Sequence, residues 1–373
     1  MPEIASSVRT LPWFARPAAR FWTCAPAPAE VREFHASLFE YAPTALVELP
    51  WLAVELGVGR VFVKDESSRL GLPAFKVLGA SWAVHRALAE RAGRGGAGPV
   101  TLVTATDGNH GRAVAHMARL LGQRARVFIP WGVHPRAVAA IAAEQAEIIQ
   151  VAGPYDEAVR RAAGAAAALD TVLVQDTAWP GYEQIPGWIV EGYSTLCAEI
   201  DEQLTAAGAG MPDLVAIPVG VGSLAQAVVT HYRSRPPGPA PAPALLSVEP
   251  VAAPCVIESL VRGEPVSVTT GETIMAGLNC GTPSTIAWPY LRGGLDAAVA
   301  VADADSARAA GDLAALGVSC GPCGAASLAG VRAVLTGDGA GERRTTLGLG
   351  PASTVVLLCT EGSAANPHAT PDV

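Results

Sequence analysis

A lysine in an apolar setting is the first side chain of this sequence that can do covalent chemistry. Lys76 lies in "SRLGLPAFKVLGAS" (68–81), directly after Phe75 and before Val77 and Leu78. Apolar neighbours remove water from the ammonium form and so favour the free amine, which forms Schiff bases with aldehydes. The residues alone leave a second interpretation open, in which Lys76 starts a helix and extends its amine into solvent.

Two aspartates lie where apolar runs end. Asp107 occupies the turn in "TATDGNHG" (104–111), and Asp176 ends "TVLVQD" (171–176). A carboxylate in such a turn can exchange protons with a substrate or bind its cationic group. The alternative for Asp107 is an aspartate that caps the following helix.

A glycine-rich turn offers a site for an anion. In "PVGVGSLAQAV" (218–228) an apolar strand pattern turns through Gly220 and Gly222 into a helical pattern. Backbone N–H groups of such a turn can close on a phosphate, and the helix dipole adds to the attraction. The turn lacks the lysine of a P-loop, and its glycines do not follow the G-x-G-x-x-G spacing of dinucleotide sites.

A last apolar strand pattern, "VVLLCTEG" (355–362), reaches Cys359 and Thr360. Either side chain can offer a neutral hydrogen bond to a heterocycle nitrogen, since ligands of open α/β sheets bind at the carboxyl ends of the strands. The alternative for Cys359 is a buried cysteine that acts as a small hydrophobe.

The segments that must position these residues alternate between short apolar runs and longer helical patterns. This alternation is typical of parallel sheets covered by helices on both faces, so the sequence predicts an α/β fold. Strands are predicted at 60–64, 100–104, 125–130, 147–152, 171–176, 214–220, 245–250 and 354–360. Helices are predicted at 76–92, 110–122, 135–145, 154–169, 186–207, 222–233, 303–317 and 324–335.

Composition excludes several classes of function. Of the 373 residues 50% are hydrophobic and 16% are charged, which does not fit a disordered chain. The formal net charge is −8 and no basic block occurs, so no nucleic-acid partner is expected. The amino terminus lacks the features of a signal peptide and no stretch is long enough to cross a bilayer, so we expect a cytoplasmic protein without a membrane partner. The histidines and cysteines show no metal-ligand spacing, and no metal is expected.

The motifs together resemble a known family. The set resembles the fold-type II pyridoxal phosphate enzymes, the group of tryptophan synthase β and threonine dehydratase, and is closer still to the diaminopropionate ammonia-lyases within that group. The matching pieces, in family order, are "YAPTALVELP" (41–50), "VKDESSRLGLPAFKVLGAS" (63–81), "TATDGNHGRAVA" (104–115), "VQDTAWPGYEQIP" (174–186), "PVGVGSLAQAV" (218–228), "SVEP" (247–250), "IMAGLNCGTPS" (274–284) and "LCTEG" (358–362).

The resemblance implies pyridoxal 5'-phosphate as the cofactor. It implies that Lys76, next to Phe75, holds the cofactor covalently and that Asn109 meets the ring hydroxyl. Cys359 would face the pyridine nitrogen, with Thr360 as its close neighbour. A neutral partner there keeps the nitrogen less readily protonated and so favours prompt loss of a β leaving group. The phosphate would lie in the turn of Gly220, Val221, Gly222, Ser223 and Leu224.

The implied reaction is the α,β-elimination of 2,3-diaminopropionate, as the D or the L isomer, to pyruvate and ammonia. Dehydratase relatives carry a small residue where this chain has Asp107, and a carboxylate beside the substrate carboxylate is unfavourable unless the substrate brings a cation. Asp107 is therefore expected to pair with the second ammonium group and to exchange protons at Cα opposite Lys76, while Asp176 acts on the amine. Thr106 and His110 complete the substrate loop, His110 as a hydrogen-bonding group rather than a base.

The resemblance also implies the architecture. A large domain of residues 1–77 and 191–373 and a small domain of residues 78–190 would each contain an open, twisted, mostly parallel sheet covered by helices. The active site would lie between the two domains. The protein would be a homodimer that acts on a small amino acid substrate.

One segment departs from the family. In "SCGPCGAASLAG" (319–330) Pro322 replaces a glutamate that the family usually has, and Cys320 and Cys323 have the redox spacing of thioredoxins. A related enzyme for another β-substituted amino acid, such as a serine or threonine dehydratase or a biosynthetic β-replacement enzyme, is therefore the main alternative. A non-catalytic relative and a thiol redox protein are the others. The sequence leaves open whether Cys320 pairs with Cys323, or Cys255 with Cys280.

Overall fold

The computed structural model describes residues 11–96, 98–106, 108–235 and 241–365. The strands are β1 (Trp13–Ala15), β2 (Leu46–Glu48), β3 (Arg60–Asp65), β4 (Thr101–Ala105), β5 (Arg124–Ile129), β6 (Glu147–Gln150), β7 (Thr171–Leu173), β8 (Leu214–Pro218), β9 (Ala244–Pro250), β10 (Ala297–Val301) and β11 (Thr354–Cys359). The helices are α1 (Glu30–Ser37), α2 (Pro50–Leu56), α3 (Lys76–Gly93), α4 (Asn109–Leu120), α5 (Pro135–Ala142), α6 (Tyr155–Ala165), α7 (Gln184–Gly192), α8 (Ser194–Ala206), α9 (Ser223–Arg233), α10 (Cys255–Arg262), α11 (Trp288–Gly294), α12 (Asp303–Ala315), α13 (Pro322–Leu335) and α14 (Ala340–Leu347).

The larger sheet has seven strands in the order β1-β10-β9-β8-β11-β3-β2. Its central strands run parallel, and only the edge strands β1 and β2 pair antiparallel. Every residue of β8, β9 and β11 is buried. This is the reason that these strands read as continuous apolar runs, because helices cover both faces of a parallel sheet.

The smaller sheet has four parallel strands in the order β6-β5-β4-β7. Helix α4 follows its central strand β4 and packs against α3, so that the two sheets share one apolar core. The α/β class with two mostly parallel sheets is confirmed. The domain boundaries at 77/78 and 190/191 stay a prediction.

Two predicted elements end earlier than expected. The strand at 171–176 stops at Leu173, which leaves Asp176 in the connection to α7. The prediction of one helix at 186–207 is wrong, because α7 ends at Gly192 and α8 begins at Ser194. Here α3 and α7 touch backbone to backbone, since a Cβ on Gly192 would lie 2.5 Å from the Leu78 carbonyl oxygen.

Four buried charged side chains tie β3 to α8, and we call them the buried ion network: Lys64, Glu66, Arg69 and Glu199. Arg69 Nη2 lies 2.7 Å from Glu66 Oε1, and Arg69 Nη1 lies 2.7 Å from Glu199 Oε1. Lys64 Nζ lies 2.6 Å from Glu199 Oε2. Two positive and two negative groups thus neutralise one another where water cannot reach, which is the condition under which buried charges are tolerated.

Among the described residues, no helix combines the length and the apolar character that a bilayer-crossing segment requires.

Candidate active site

Five loops that follow parallel strands meet between the two sheets. Ligands of open α/β sheets bind at the carboxyl ends of the strands. The residues predicted to act in this site follow those ends: Thr106 after β4, Asp176 after β7, Gly220 after β8, Thr360 after β11, and Lys76 on the connection from β3.

Lys76 and Asp176 form an ion pair in this cleft. Lys76 is the first residue of α3, and its Nζ donates to Asp176 Oδ2 at 2.5 Å. The Lys76 side chain is 27% exposed and that of Asp176 is 11% exposed, so the amine can still be reached. Burial by itself raises the pKa of Asp176, but the nearby His110 and Lys76 hold that pKa well below its usual value. Asp176 is therefore a carboxylate at neutral pH.

The chain contains two lysines, Lys64 and Lys76. Lys64 is fully buried, and its Nζ donates to Thr44 O at 2.8 Å, Glu199 Oε2 at 2.6 Å and Gln203 Oε1 at 2.9 Å. These three acceptors use all the donors of an ammonium group. Of the two amines, Lys76 is therefore the one that can bind an aldehyde.

His110 lies behind Asp176. Its Nε2 donates to the Val174 carbonyl at 2.8 Å, and its Nδ1 faces Asp176 Oδ2 at 3.8 Å. Burial lowers the pKa of His110, so the ring is neutral at pH 7 and its Nδ1 carries a lone pair. Among the described residues this Nδ1 has no hydrogen-bond partner. A protonated Asp176 could donate to it, whereas the ionised form cannot.

The hydroxyl group of Thr106 organises the start of α4. Thr106 Oγ1 accepts from Gly108 N at 3.0 Å and from Gly111 N at 3.1 Å, which satisfies amides at the start of α4. A Cβ on Gly111 would lie 2.1 Å from Thr106 Cγ2, so the loop needs glycine there. Thr106 thus shapes the loop with the group that was expected to contact substrate. Asp107 lies outside the described residues.

Asn109 is held by a carboxyl group that the sequence analysis missed. Its Nδ2 donates to Glu361 Oε2 at 2.8 Å, and Glu361 is 5% exposed. Burial raises the pKa of Glu361, although contacts from Cys323 and Asn109 oppose the shift. The signal was present in the sequence, since Glu361 directly follows Thr360 at the end of a buried strand.

The glycine turn at the start of α9 packs its backbone closely against neighbouring side chains. A Cβ on Gly220 would lie 2.9 Å from Cys280 Sγ, and one on Gly222, whose φ is +100°, would lie 2.6 Å from Leu291 Cδ1. Only glycine adopts this conformation without strain. The turn also touches the catalytic cleft, because Ser223 Oγ donates to the Asp176 carbonyl at 3.3 Å. Val221 and Leu224 complete it.

Two buried polar atoms beside this turn have no partner within the described residues, Gln226 Oε1 and Ser284 Oγ. Gln226 lies in the first turn of α9, and Ser284 N donates to Val221 O at 2.8 Å. Buried polar atoms are rarely left unpaired, and such exceptions call for a ligand or a water. A turn with two glycines, a helix N-terminus and these two atoms fit the phosphate of pyridoxal phosphate.

Cys359 and Thr360 differ in whether their side chains already have a bonding partner. Cys359 Sγ forms a disulfide with Cys320 Sγ, with 5.8 Å between the Cα atoms, and lies in the apolar cluster that includes α13. The Thr360 hydroxyl has no hydrogen-bond partner among the described residues, and its carbonyl accepts from Phe75 N at 3.2 Å. Of the two side chains, Thr360 is thus the one that remains available to a ring nitrogen. Cys320 is paired with Cys359 and Cys255 forms no disulfide, so neither pairing that the sequence left open occurs.

Comparison with known proteins gives one answer. The chain matches the family "Pyridoxal-phosphate dependent enzyme" over residues 38–360. It is 40% identical over 282 residues to diaminopropionate ammonia-lyase of Salmonella typhimurium, which covers 70% of this chain and 69% of the relative. The corresponding enzyme of Escherichia coli K12 is 40% identical over 274 residues, which cover 70% of this chain and 68% of the relative.

Solved structures agree. The structure of diaminopropionate ammonia lyase from Escherichia coli in complex with an aminoacrylate-PLP azomethine reaction intermediate matches with a TM-score of 0.84 at 32% identity, over 97% of both chains. The same protein in complex with D-serine matches with a TM-score of 0.86 at 32% identity, over 97% of both chains. Maize serine racemase matches with a TM-score of 0.75 over 91% of this chain and 94% of its own, and at 22% identity it shares the fold alone.

Proposed function

This chain belongs to the diaminopropionate ammonia-lyase family of pyridoxal-phosphate dependent enzymes, and we propose that it eliminates ammonia from 2,3-diaminopropionate to leave pyruvate and a second ammonia. It is a carbon–nitrogen lyase whose cofactor is pyridoxal 5'-phosphate. When bound, this cofactor withdraws electrons from Cα of an amino acid and makes the Cα proton acidic.

The proposed substrate rests on one observation, which is that the ionised Asp176 contacts the amine of Lys76. A substrate with a second ammonium group can pair with this carboxylate as it enters the cleft. The pairing keeps the β-nitrogen protonated, and a protonated nitrogen leaves as neutral ammonia. A β-hydroxy amino acid offers only a neutral hydroxyl, which can donate a hydrogen bond to the carboxylate but forms no ion pair with it, and an ionised aspartate has no proton to give to a leaving hydroxide.

Proton transfer at Cα falls to two residues on opposite faces of the substrate. Lys76 takes the proton on its own face, and Asp107 takes it from the isomer that presents the proton to the other face. The role of Asp107 rests on the sequence resemblance. His110 lies behind Asp176, where its neutral Nδ1 can accept a hydrogen bond once Asp176 has taken up a proton.

Cofactor binding uses groups from both sheets. The Gly220–Leu224 turn would hold the phosphate, with Ser284 and Gln226 as additional polar neighbours. Asn109 would meet the ring hydroxyl. We assign the ring nitrogen to Thr360, because its hydroxyl has no partner among the described residues whereas the Cys359 thiol is engaged in a disulfide.

We further propose a cytoplasmic homodimer. Trp51 and Val54 are one helical turn apart on α2 and are 76% and 78% exposed, which supports an apolar contact between subunits. Light scattering of the purified protein gives the mass in solution, and a monomer would contradict this part of the proposal.

The substrate assignment is tested by pyruvate release from D- and L-diaminopropionate, serine and threonine. We expect diaminopropionate to be preferred and Asp176→Asn to lower its kcat/KM by roughly 10²-fold or more, because the carboxylate that pairs with the leaving amine is removed. Asp170→Asn is the matched control, since Asp170 pairs with Arg91 at the protein surface. Preference for serine or threonine, or an Asp176→Asn variant as active as the control, would contradict the proposal.

A further inference from the structure

Glu361 lies where three parts of the cleft meet. It follows β11 by two residues, and its backbone pairs with Ala74 in an antiparallel bridge, two residues before Lys76. The side chain is buried at 5% exposure. A buried carboxyl group is costly unless its oxygens are satisfied, so its contacts indicate what it is for.

The two carboxyl oxygens serve different elements. Oε2 accepts from Asn109 Nδ2 at 2.8 Å, at the start of α4. Oε1 accepts from Cys323 N at 3.4 Å, in the first turn of α13, and would lie 3.0 Å from a Cβ on Gly321. Glu361 therefore joins the smaller sheet's helix α4 to the larger sheet's helix α13. It also places a carboxyl group beside the segment 319–330, in which Pro322 occupies the position of the glutamate that the family usually has.

This contact fixes which way the Asn109 amide points. Because Glu361 Oε2 accepts in this contact, the NH₂ group of Asn109 faces Glu361. The amide oxygen and the second N–H are then directed away from Glu361. Without Glu361 the amide could rotate by half a turn and exchange its donor for its acceptor, since the two orientations have the same shape.

We propose that Glu361 is a positioning residue that fixes the Asn109 amide for the ring hydroxyl of pyridoxal phosphate and joins α4 to α13 across the cleft. The proposal rests on the proposed function only in that Asn109 contacts the cofactor. Burial raises the pKa of Glu361 and the charge of Lys76 lowers it, so the group is also electrically coupled to the cofactor lysine.

A double-mutant cycle on cofactor binding tests this role. The dissociation constant of pyridoxal phosphate is measured by equilibrium dialysis for the wild type, Glu361→Met, Asn109→Ala and the double variant. We expect Glu361→Met to weaken binding roughly tenfold or more, as for loss of a hydrogen bond to a charged group. In the Asn109→Ala background the same change should have almost no further effect, because the residue through which Glu361 acts is absent.

A second readout separates positioning from general stability. The pH at which the visible absorbance band of the holoenzyme changes should shift in Glu361→Met and move back in Glu361→Gln, which keeps one acceptor oxygen. Asp213→Asn is the matched control, since Asp213 Oδ2 accepts from Thr354 N at the opposite end of β11, at 2.7 Å. It should change neither the dissociation constant nor the band.

Additive effects of the two substitutions, or a Glu361→Met variant that binds cofactor as the wild type does, would overturn the proposal. If Glu361→Met does not fold, the same cycle is run with Glu361→Gln, for which the same lack of additivity is required. A wild-type protein that binds pyridoxal phosphate but releases no pyruvate from diaminopropionate would overturn the proposed function alone.

Discussion

The two lysines of the chain occupy two opposite environments. Lys64 is fully buried in the buried ion network, where three acceptors and balanced charges satisfy it. Lys76 is 27% exposed at the edge of a cleft, where it pairs with Asp176. The same side chain is thus structural in one region and reactive in the other, and the difference is access.

The acidic partners show the same contrast. Burial would raise the pKa of Glu199, but Arg69 and Lys64 lower it below its usual value, and its oxygens are fully engaged. Asp176 is also ionised, yet a histidine nitrogen without a partner among the described residues lies behind it. In the buried ion network every charged group is already satisfied by its neighbours. In the cleft, the lone pair of His110 Nδ1 and the amine of Lys76 can still interact with a substrate or a proton.

The largest expected effect is that of Lys76→Ala on catalysis. Pyruvate release should fall by at least about 10⁴-fold, because the amine that binds the cofactor and moves the Cα proton is removed. The free energy of unfolding should fall less than in Lys64→Met, because Lys76 is partly exposed and Asp176 borders the cleft. Borohydride reduction of the wild-type holoenzyme followed by peptide mass analysis should place the label on Lys76. A label on Lys64, or an active Lys76→Ala variant, would break the contrast between the two lysines.

Lys64→Met should produce the reverse pattern. We expect the free energy of unfolding to fall by about 3–5 kcal/mol, because two buried carboxylates would then share one arginine. The folded fraction should still bind cofactor through Lys76. Urea unfolding measures the loss, and adding Glu199→Gln should recover part of it by restoring the charge balance. Unchanged stability in Lys64→Met would show that the network is not a structural anchor.

The sequence predicts the centre of the fold better than its edges. Runs such as 214–220 and 354–360 are buried on both faces and read as strands from composition alone. Strand β10 is missed because its alanine-rich sequence also suits a helix. The break between α7 and α8 was not predictable either, since it depends on the approach of Gly192 to the Leu78 carbonyl group, far away in sequence.

The site divides in the same way. Lys76 and the Gly220–Leu224 turn carry local signals, an apolar lysine and a glycine-rich strand end. The contact of Asn109 with Glu361 joins residues that are 252 positions apart, so the local pattern indicates the position of Glu361 at a strand end but not its partner. The Cys320–Cys359 pair was not foreseen, because spacing alone cannot select one pairing among several cysteines.

The smallest expected effect is a pH dependence of stability at His35, which joins α3, the helix that begins at Lys76, to α8, the helix that contains Glu199. One ring nitrogen contacts the Leu78 carbonyl oxygen in α3 at 3.0 Å, and the other contacts Thr195 Oγ1 in α8 at 2.7 Å. Burial lowers the pKa of His35 to about 4. The pKa of histidine in the unfolded chain is about 6.5. Between these two pKa values the unfolded chain therefore binds a proton that the folded chain does not bind.

The stability that His35 provides is thus complete above about pH 6.5 and is lost as the pH falls towards about 4. Between pH 7.5 and pH 5 this should remove roughly 2 kcal/mol from the free energy of unfolding. Urea unfolding at both pH values should show a smaller difference for His35→Gln than for the wild type, since glutamine does not titrate. Equal differences in the two proteins would mean that the contact of His35 with α3 and α8 does not respond to protons.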